Sequence, residues 1–193
     1  MKQTTDMSKE IHDRYIKLYQ EKIIKSPDYA VGKEFGKHDT PKIILDLMKK
    51  TNSKTLLDYG CGQGKQYTEW KIHEKHNLPL PRLYDPAIPS YNVIPTESFD
   101  GIISTDVFEH IPEQVIPMTL EYIFSHVKNF VYVKLATNLA KTKLPNGENA
   151  HCTVKSYDWW KEKINEFRCD NILVYLHESQ TDDGREGIKR GLI

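Results

Sequence analysis

The sequence predicts an α/β fold: a mostly parallel sheet with a C-terminal antiparallel hairpin, and helices on both faces. Two observations carry this. The apolar run Thr55-Leu56-Leu57-Asp58-Tyr59 ends at Gly60 and opens a loop with further glycines at Gly62 and Gly64, the pattern of a buried strand turning into a helix. Beyond it, strand, glycine turn, helix and strand form a βαβ unit, which closes right-handed over a parallel sheet.

In chain order, Ile11, Tyr15 and Leu18 repeat at helical spacing over residues 8 to 25, with Thr5, Asp6 and Ser8 as candidate caps and Ser26-Pro27 as the stop. A turn-rich stretch with Gly32 and Gly36 follows. Asp39-Thr40-Pro41 then opens a second helix, whose apolar face is Ile43, Ile44, Leu47 and Met48. The first strand takes residues 54 to 59, and residues 65 to 76, free of Gly and Pro, read as one helix leading to a second strand at 82 to 85. Phe99 to Thr105 is a third strand, and Pro112 and Pro117 suit helix starts ahead of the face Leu120, Ile123, Phe124 and Val127. Phe130 to Leu135 is strand again, and a polar loop from Thr137 to Lys155 turns at Pro145-Asn146-Gly147. Ser156 caps a helix bearing Trp159, Trp160, Ile164 and Phe167. Ile172 to Leu176, the turn Asp182-Asp183-Gly184 and Gly187 to Ile193 complete a terminal hairpin. The whole is a Rossmann-like arrangement.

Composition bounds the function. At 193 residues one domain is expected, with residues 1 to 38 as a helical lid or cap on a core from 39 to 193. Lys+Arg and Asp+Glu both number 27, so no global basic field draws in nucleic acid or an anionic membrane. No apolar run approaches the roughly 18 residues of a membrane span, and the opening MKQTTDMSKE lacks a secretory signal's apolar stretch. Cys61, Cys152 and Cys169 are odd in number and widely spaced, which suggests neither disulfides nor zinc and points to a cytoplasmic protein.

The chemistry is concentrated at the glycine loop. Alternate glycines bring a ligand close to the main chain, and Asp85, at the end of the second strand, can accept both hydroxyls of a ribose. The dinucleotide fingerprint needs its third glycine where this chain has Lys65. Asp58 in the preceding strand would repel a pyrophosphate and suit a cationic amino-acid moiety.

Leu57-Asp58-Tyr59-Gly60-Cys61-Gly62-Gln63-Gly64 resembles the first motif of the class I S-adenosylmethionine-dependent methyltransferases. Asp85 falls where that family's ribose-binding acid lies, and Phe99-Asp100-Gly101-Ile102-Ile103 matches its fourth strand. Asp106-Val107-Phe108-Glu109-His110-Ile111-Pro112 is similar to the segment after that strand in the ubiquinone-biosynthesis O-methyltransferase group. The resemblance implies S-adenosyl-L-methionine as cofactor, S-adenosyl-L-homocysteine as product and a small-molecule acceptor, oxygen favoured. It also implies that Gly60 and Gly62, with Tyr59, Cys61 and Gln63 beside them, line the methionine part, and that Asp58 holds its amino group directly or through water. Asp85 would take the ribose, and the backbone at Asp106 and Val107 would close the other side. The stretch from Pro86 to Ser98 is too short for the family's usual helix and third strand, so a shortened unit leaves Pro86, Ala87 and Tyr91 beside the adenine. Two other functions stay open: a noncatalytic or regulatory protein that binds the same cofactor, and a nicotinamide-dependent oxidoreductase.

His110 and His151 are the candidate general bases, each just past the end of a strand, on the side where open α/β sheets bind ligands. Asp106, Glu109 and His110 are grouped closely enough to consider a divalent ion, but no metal ligand is assigned. His73 and His76 are expected on a solvated helix face, Asp100 as a structural turn acceptor, and Cys61 as a small loop residue without a nucleophilic role. Of the adjacent Trp159 and Trp160, at most one can face a pocket.

Overall fold

The computed structural model describes residues 2–37, 39–179 and 189–193, so the Asp182-Gly184 turn and Gly187 lie outside the described residues. In chain order the elements are α1 (Lys2–Lys25), α2 (Thr40–Lys50), β1 (Leu56–Tyr59), α3 (Lys65–Thr68), α4 (Ile72–Lys75), β2 (Arg82–Tyr84), β3 (Phe99–Thr105), α5 (Ile116–His126), β4 (Val127–Leu135), α6 (Tyr157–Asn165), β5 (Leu173–Glu178) and β6 (Arg190–Leu192). The strands form one sheet in the order β2-β1-β3-β4-β5-β6. β2, β1, β3, β4 and β5 run parallel, and β6 lies antiparallel on the outer edge of β5. This is the expected α/β architecture with its C-terminal antiparallel pair. No helix among the described residues is long and apolar enough to cross a membrane.

Strand periodicity splits the core in two, because successive side chains leave opposite faces. Leu57, Ile102, Val131, Val133 and Val174 pack with Leu120 and Ile123 of α5 and Trp160 and Ile164 of α6. On the other face Leu56, Ile103, Phe130 and Tyr132 pack with Ile44, Leu47 and Met48 of α2, and with Phe35 and Tyr67. Helices thus cover both faces, and both cores are built from the periodic positions of the sequence.

Chain order reverses beside β1, since β2 lies on one flank and β3 on the other. In open α/β sheets ligands bind in the crevice at the carboxyl ends of the strands where the order reverses, between β1 and β3 here. Residues 86 to 98 hold neither helix nor strand, as expected for a shortened middle unit.

Several local expectations change. α1 already begins at Lys2, so Thr5, Asp6 and Ser8 lie inside the helix rather than capping it. The helix expected over 65 to 76 is broken into α3 and α4, with Lys71 in the left-handed region at φ 52°. The break turns the imidazole of His73 inward onto the ring of Tyr67 at 5.7 Å, so His73 is buried, while His76 stays exposed. Ser156 caps α6 as expected by accepting from the Trp159 amide, and Trp160 is wholly buried in the core. Asp100 is the expected structural acceptor, its Oδ2 taking the amides of Lys54 and Thr55 at 2.8 and 3.0 Å.

Candidate functional site

A cavity of about 330 Å³ opens at the reversal point, within the usual size of small-molecule sites. Its floor is the end of each central strand: Tyr59, Gly60, Cys61 and Gly62 at the end of β1, Asp85, Pro86 and Ala87 after β2, and Thr105, Asp106 and Val107 at the end of β3. Its roof is one face of α1, with Tyr15, Ile16, Tyr19 and Ile23, continued by residues 28 to 35.

The glycine loop is shaped by contacts that exclude a side chain. A Cβ on Gly60, at φ 84°, would run into both γ-carbons of Val107, and one on Gly62 would meet the Ala30 carbonyl. The loop's amides are all engaged inside the protein. Gly60 and Cys61 both donate to Tyr84 O at 2.7 and 3.0 Å, Gln63 to Ala30 O at 2.7 Å and Gly64 to Cys61 O at 3.2 Å. Gly62 donates to Asp85 Oδ2 at 2.9 Å. A phosphate cradle needs free N–H groups aimed at the ligand, and this loop offers none.

What the cavity offers instead is acceptors. Asp85 Oδ1 takes the Ala87 amide at 2.9 Å, so each carboxylate oxygen has one backbone partner and lone-pair capacity left for a pair of hydroxyls. Burial pushes its pKa up, against the pull of those two amides. Gln66 lines the cavity, and its Nε2 donates to Cys61 O at 3.1 Å and Asp58 Oδ2 at 3.3 Å. Its Oε1 is buried without a hydrogen-bond partner. Asp58 itself does not line the cavity. It stands behind Gln66, fully buried, with Oδ2 also accepting from the Tyr67 hydroxyl at 2.7 Å and Oδ1 unpartnered. Burial raises its pKa to about 7.

Asp106 closes the far wall with a left-handed backbone, φ 54°. Burial raises its pKa to about 6, while the Lys134 ammonium pulls the other way. Lys134 is wholly buried and ties the 33–36 turn to the sheet by donating to Glu34 O at 3.1 Å. Gln63, expected at the ligand, instead donates its side-chain amide to Pro27 O and Tyr29 O at 2.8 and 2.6 Å, and so fastens the roof. Tyr91 packs under Gly64. Burial pushes the Cys61 thiol up, which leaves it no nucleophilic character.

The two histidines lie side by side, ring centroids 4.8 Å apart and nearly perpendicular. Only His110 lines the cavity. Its Nδ1 meets Ala150 O at 2.8 Å, and His151 Nδ1 meets Asn138 O at 2.5 Å. A carbonyl only accepts, so both Nδ1 atoms carry the proton and both Nε2 atoms hold a lone pair. Burial lowers the His110 pKa to about 4, with His151 adding to the effect, and burial lowers that of His151 too.

The loop from Thr137 to Lys155 contributes no residue to the cavity lining. It acts from behind, because Tyr19 of α1 reaches over to donate to Ala150 O at 2.7 Å, and Tyr15 to Glu148 at 2.6 Å. Sequence reasoning missed Gln66, Thr105, Tyr19 and the 28–35 roof. The one available signal was Gly32, left-handed at φ 82°, where a Cβ would run into the Gln66 carboxamide. No protein-family model matches this chain, and neither does any curated protein or solved structure.

Proposed function

We propose that the chain transfers a methyl group from S-adenosyl-L-methionine to a small-molecule acceptor, with oxygen favoured over nitrogen or carbon. The observation that carries this is the polarity of the reversal-point cavity. Every loop amide from Gly60 to Gly64 is engaged, and the floor offers acceptors: the two oxygens of Asp85 keep lone-pair capacity, and Gln66 Oε1 is buried without a partner. Such a wall selects a diol and a cation and turns away a pyrophosphate. The residues therefore fit this cofactor: Asp85 would hold the ribose hydroxyls, Gln66, backed by Asp58, the amino group, and Pro86 and Ala87 the base.

The cofactor's sulfonium makes its methyl electrophilic, so the protein's work is alignment and exclusion of water. Tyr15, Ile16, Tyr19 and Ile23 of α1 supply the water-excluding roof. His110, its Nδ1 fixed on Ala150 O, leaves Nε2 to meet an acceptor hydroxyl, with His151 packed against it. The chain's three cysteines are all unpaired, which accords with work in a reducing cytoplasm.

Calorimetric titration with S-adenosylmethionine, S-adenosylhomocysteine and NAD tests the reading. Micromolar binding of the first two and none of NAD is expected, with Asp85→Asn weakening binding at least tenfold, about 1.4 kcal/mol. Binding of NAD alone would return the oxidoreductase. Tight cofactor binding without turnover on any broad acceptor pool would favour a noncatalytic binding protein.

A further inference from the structure

We propose that Glu109, His110 and His151 form a binding site for one divalent transition-metal ion of the zinc or cobalt type, opening onto the cavity. One donor atom from each residue lies within 4.8 Å of those of the other two. Each side chain is held at one end and open at the other. The Ala136 amide gives its hydrogen to Glu109 Oε1 at 2.9 Å, while Oε2, on a side chain with no exposed surface, has no hydrogen-bond partner. The carbonyls of Ala150 and Asn138 hold the Nδ1 hydrogens of His110 and His151 and leave both Nε2 lone pairs available. A backbone carbonyl on the far ring nitrogen is how metal-binding imidazoles are fixed in tautomer and direction.

The donor set chooses the ion. Two imidazoles and a carboxylate favour first-row transition ions over magnesium or calcium, which prefer oxygen throughout. Three protein ligands leave a fourth position open, and His110 is the member of the set that lines the cavity. Bonds of about 2.0–2.2 Å would draw the three side chains closer together than they stand here. An ion also answers the orphaned Glu109 oxygen, which otherwise lies buried without a partner. Binding of the ion is independent of the methyl-transfer reading. Its consequence rests on that reading, since an acceptor oxygen would then be oriented and acidified through the ion instead of giving its proton directly to His110.

The test is titration of the chelator-treated full-length protein with Co²⁺, followed by visible absorption, and with Zn²⁺ and Mg²⁺ by calorimetry. One Co²⁺ or Zn²⁺ per chain is expected, with Mg²⁺ at least a hundredfold weaker. Glu109→Gln and His151→Ala should each weaken Zn²⁺ binding more than tenfold. His151 is the safer variant, being only half-buried and outside the cavity, and circular dichroism reports whether either variant folds. No saturable binding overturns the proposal, and so does binding that survives intact in folded His151→Ala. Both titrations omit the cofactor, so cobalt binding without S-adenosylmethionine binding would remove the methyl-transfer reading alone, and the reverse would remove the metal site alone.

Discussion

Gly60 is where the glycine loop and the segment after β3 touch, and nothing larger fits between them. An alanine there meets two costs, a left-handed backbone and overlap with the γ-carbons of Val107. Together these should lower stability by about 2–4 kcal/mol in urea unfolding. Val107→Ala in the same chain should return the overlap part and leave the backbone part. Full recovery would mean that φ at this position costs nothing. Glycine turns after strands are common, and this one stands out in the sequence only together with Asp58, Asp85 and the segment from Asp106 to Pro112. The same reasoning singled out Asp58 for the amino group and missed Gln66 in front of it. A strand carboxylate stands out in sequence, whereas Gln66 acquires its role only when the Gly32 turn folds against it. Gln63 and Gln66 are alike in sequence, and only the fold decides that one fastens the roof and the other lines the cavity.

At the scale of elements, the informative failure is the helix over 65 to 76. No residue there breaks a helix, yet Lys71 sits at φ 52° and separates α3 from α4. The cause is tertiary, since the bend lets Ile72 and His73 descend onto the core that Tyr67 already occupies. Lys71→Gly removes the side-chain penalty of a left-handed residue, and should raise stability by about 0.5–1 kcal/mol in the same unfolding experiment. A loss would show that the strain lies elsewhere. α1 was legible as an amphipathic helix, but its role as roof depends on hydroxyls that join it to distant segments. Tyr19 bonds to the carbonyls of Ala150 and His110, Tyr15 to Glu148, and Ser8 to Gln114 O. Tyr19→Phe should cost about 0.5–1.5 kcal/mol of that closure. Hydrogen exchange of the α1 amides should then quicken several-fold while the sheet amides stay unchanged. Equal exchange in both proteins would mean that packing alone holds the roof.

Taken over the whole molecule, zero formal net charge conceals a concentration of carboxyls at one place. Asp58, Asp85, Asp106 and Glu109 cluster about the reversal point, and burial raises the pKa of each. The sign of the consequence follows from proton counting. A carboxyl whose folded pKa exceeds its unfolded value keeps its proton in the native state after the unfolded chain has released it. Stability from that group is therefore full below the unfolded value near 3.9 and is lost as pH rises to the folded value. For Asp58 the window runs from about pH 4 to about 7. His12, His110 and His151, with lowered pKa values, act oppositely and gain stability as pH rises towards 6.5, so the total profile mixes both. The difference between wild type and Asp58→Asn isolates the single group. The two should unfold with similar free energy at pH 4, and the variant should pull ahead by about 1–4 kcal/mol at pH 8. Parallel profiles would show that Asp58 titrates as an ordinary carboxyl. The same accumulation of negative charge makes a cationic ligand more stabilising when the acids are ionised. S-adenosylmethionine should accordingly raise the melting temperature of the wild type more at pH 8 than at pH 5, and Asp58→Asn should shrink that difference. A pH-independent shift, unchanged in the variant, would detach the buried acids from ligand binding and leave Asp85 to act through its hydrogen bonds alone.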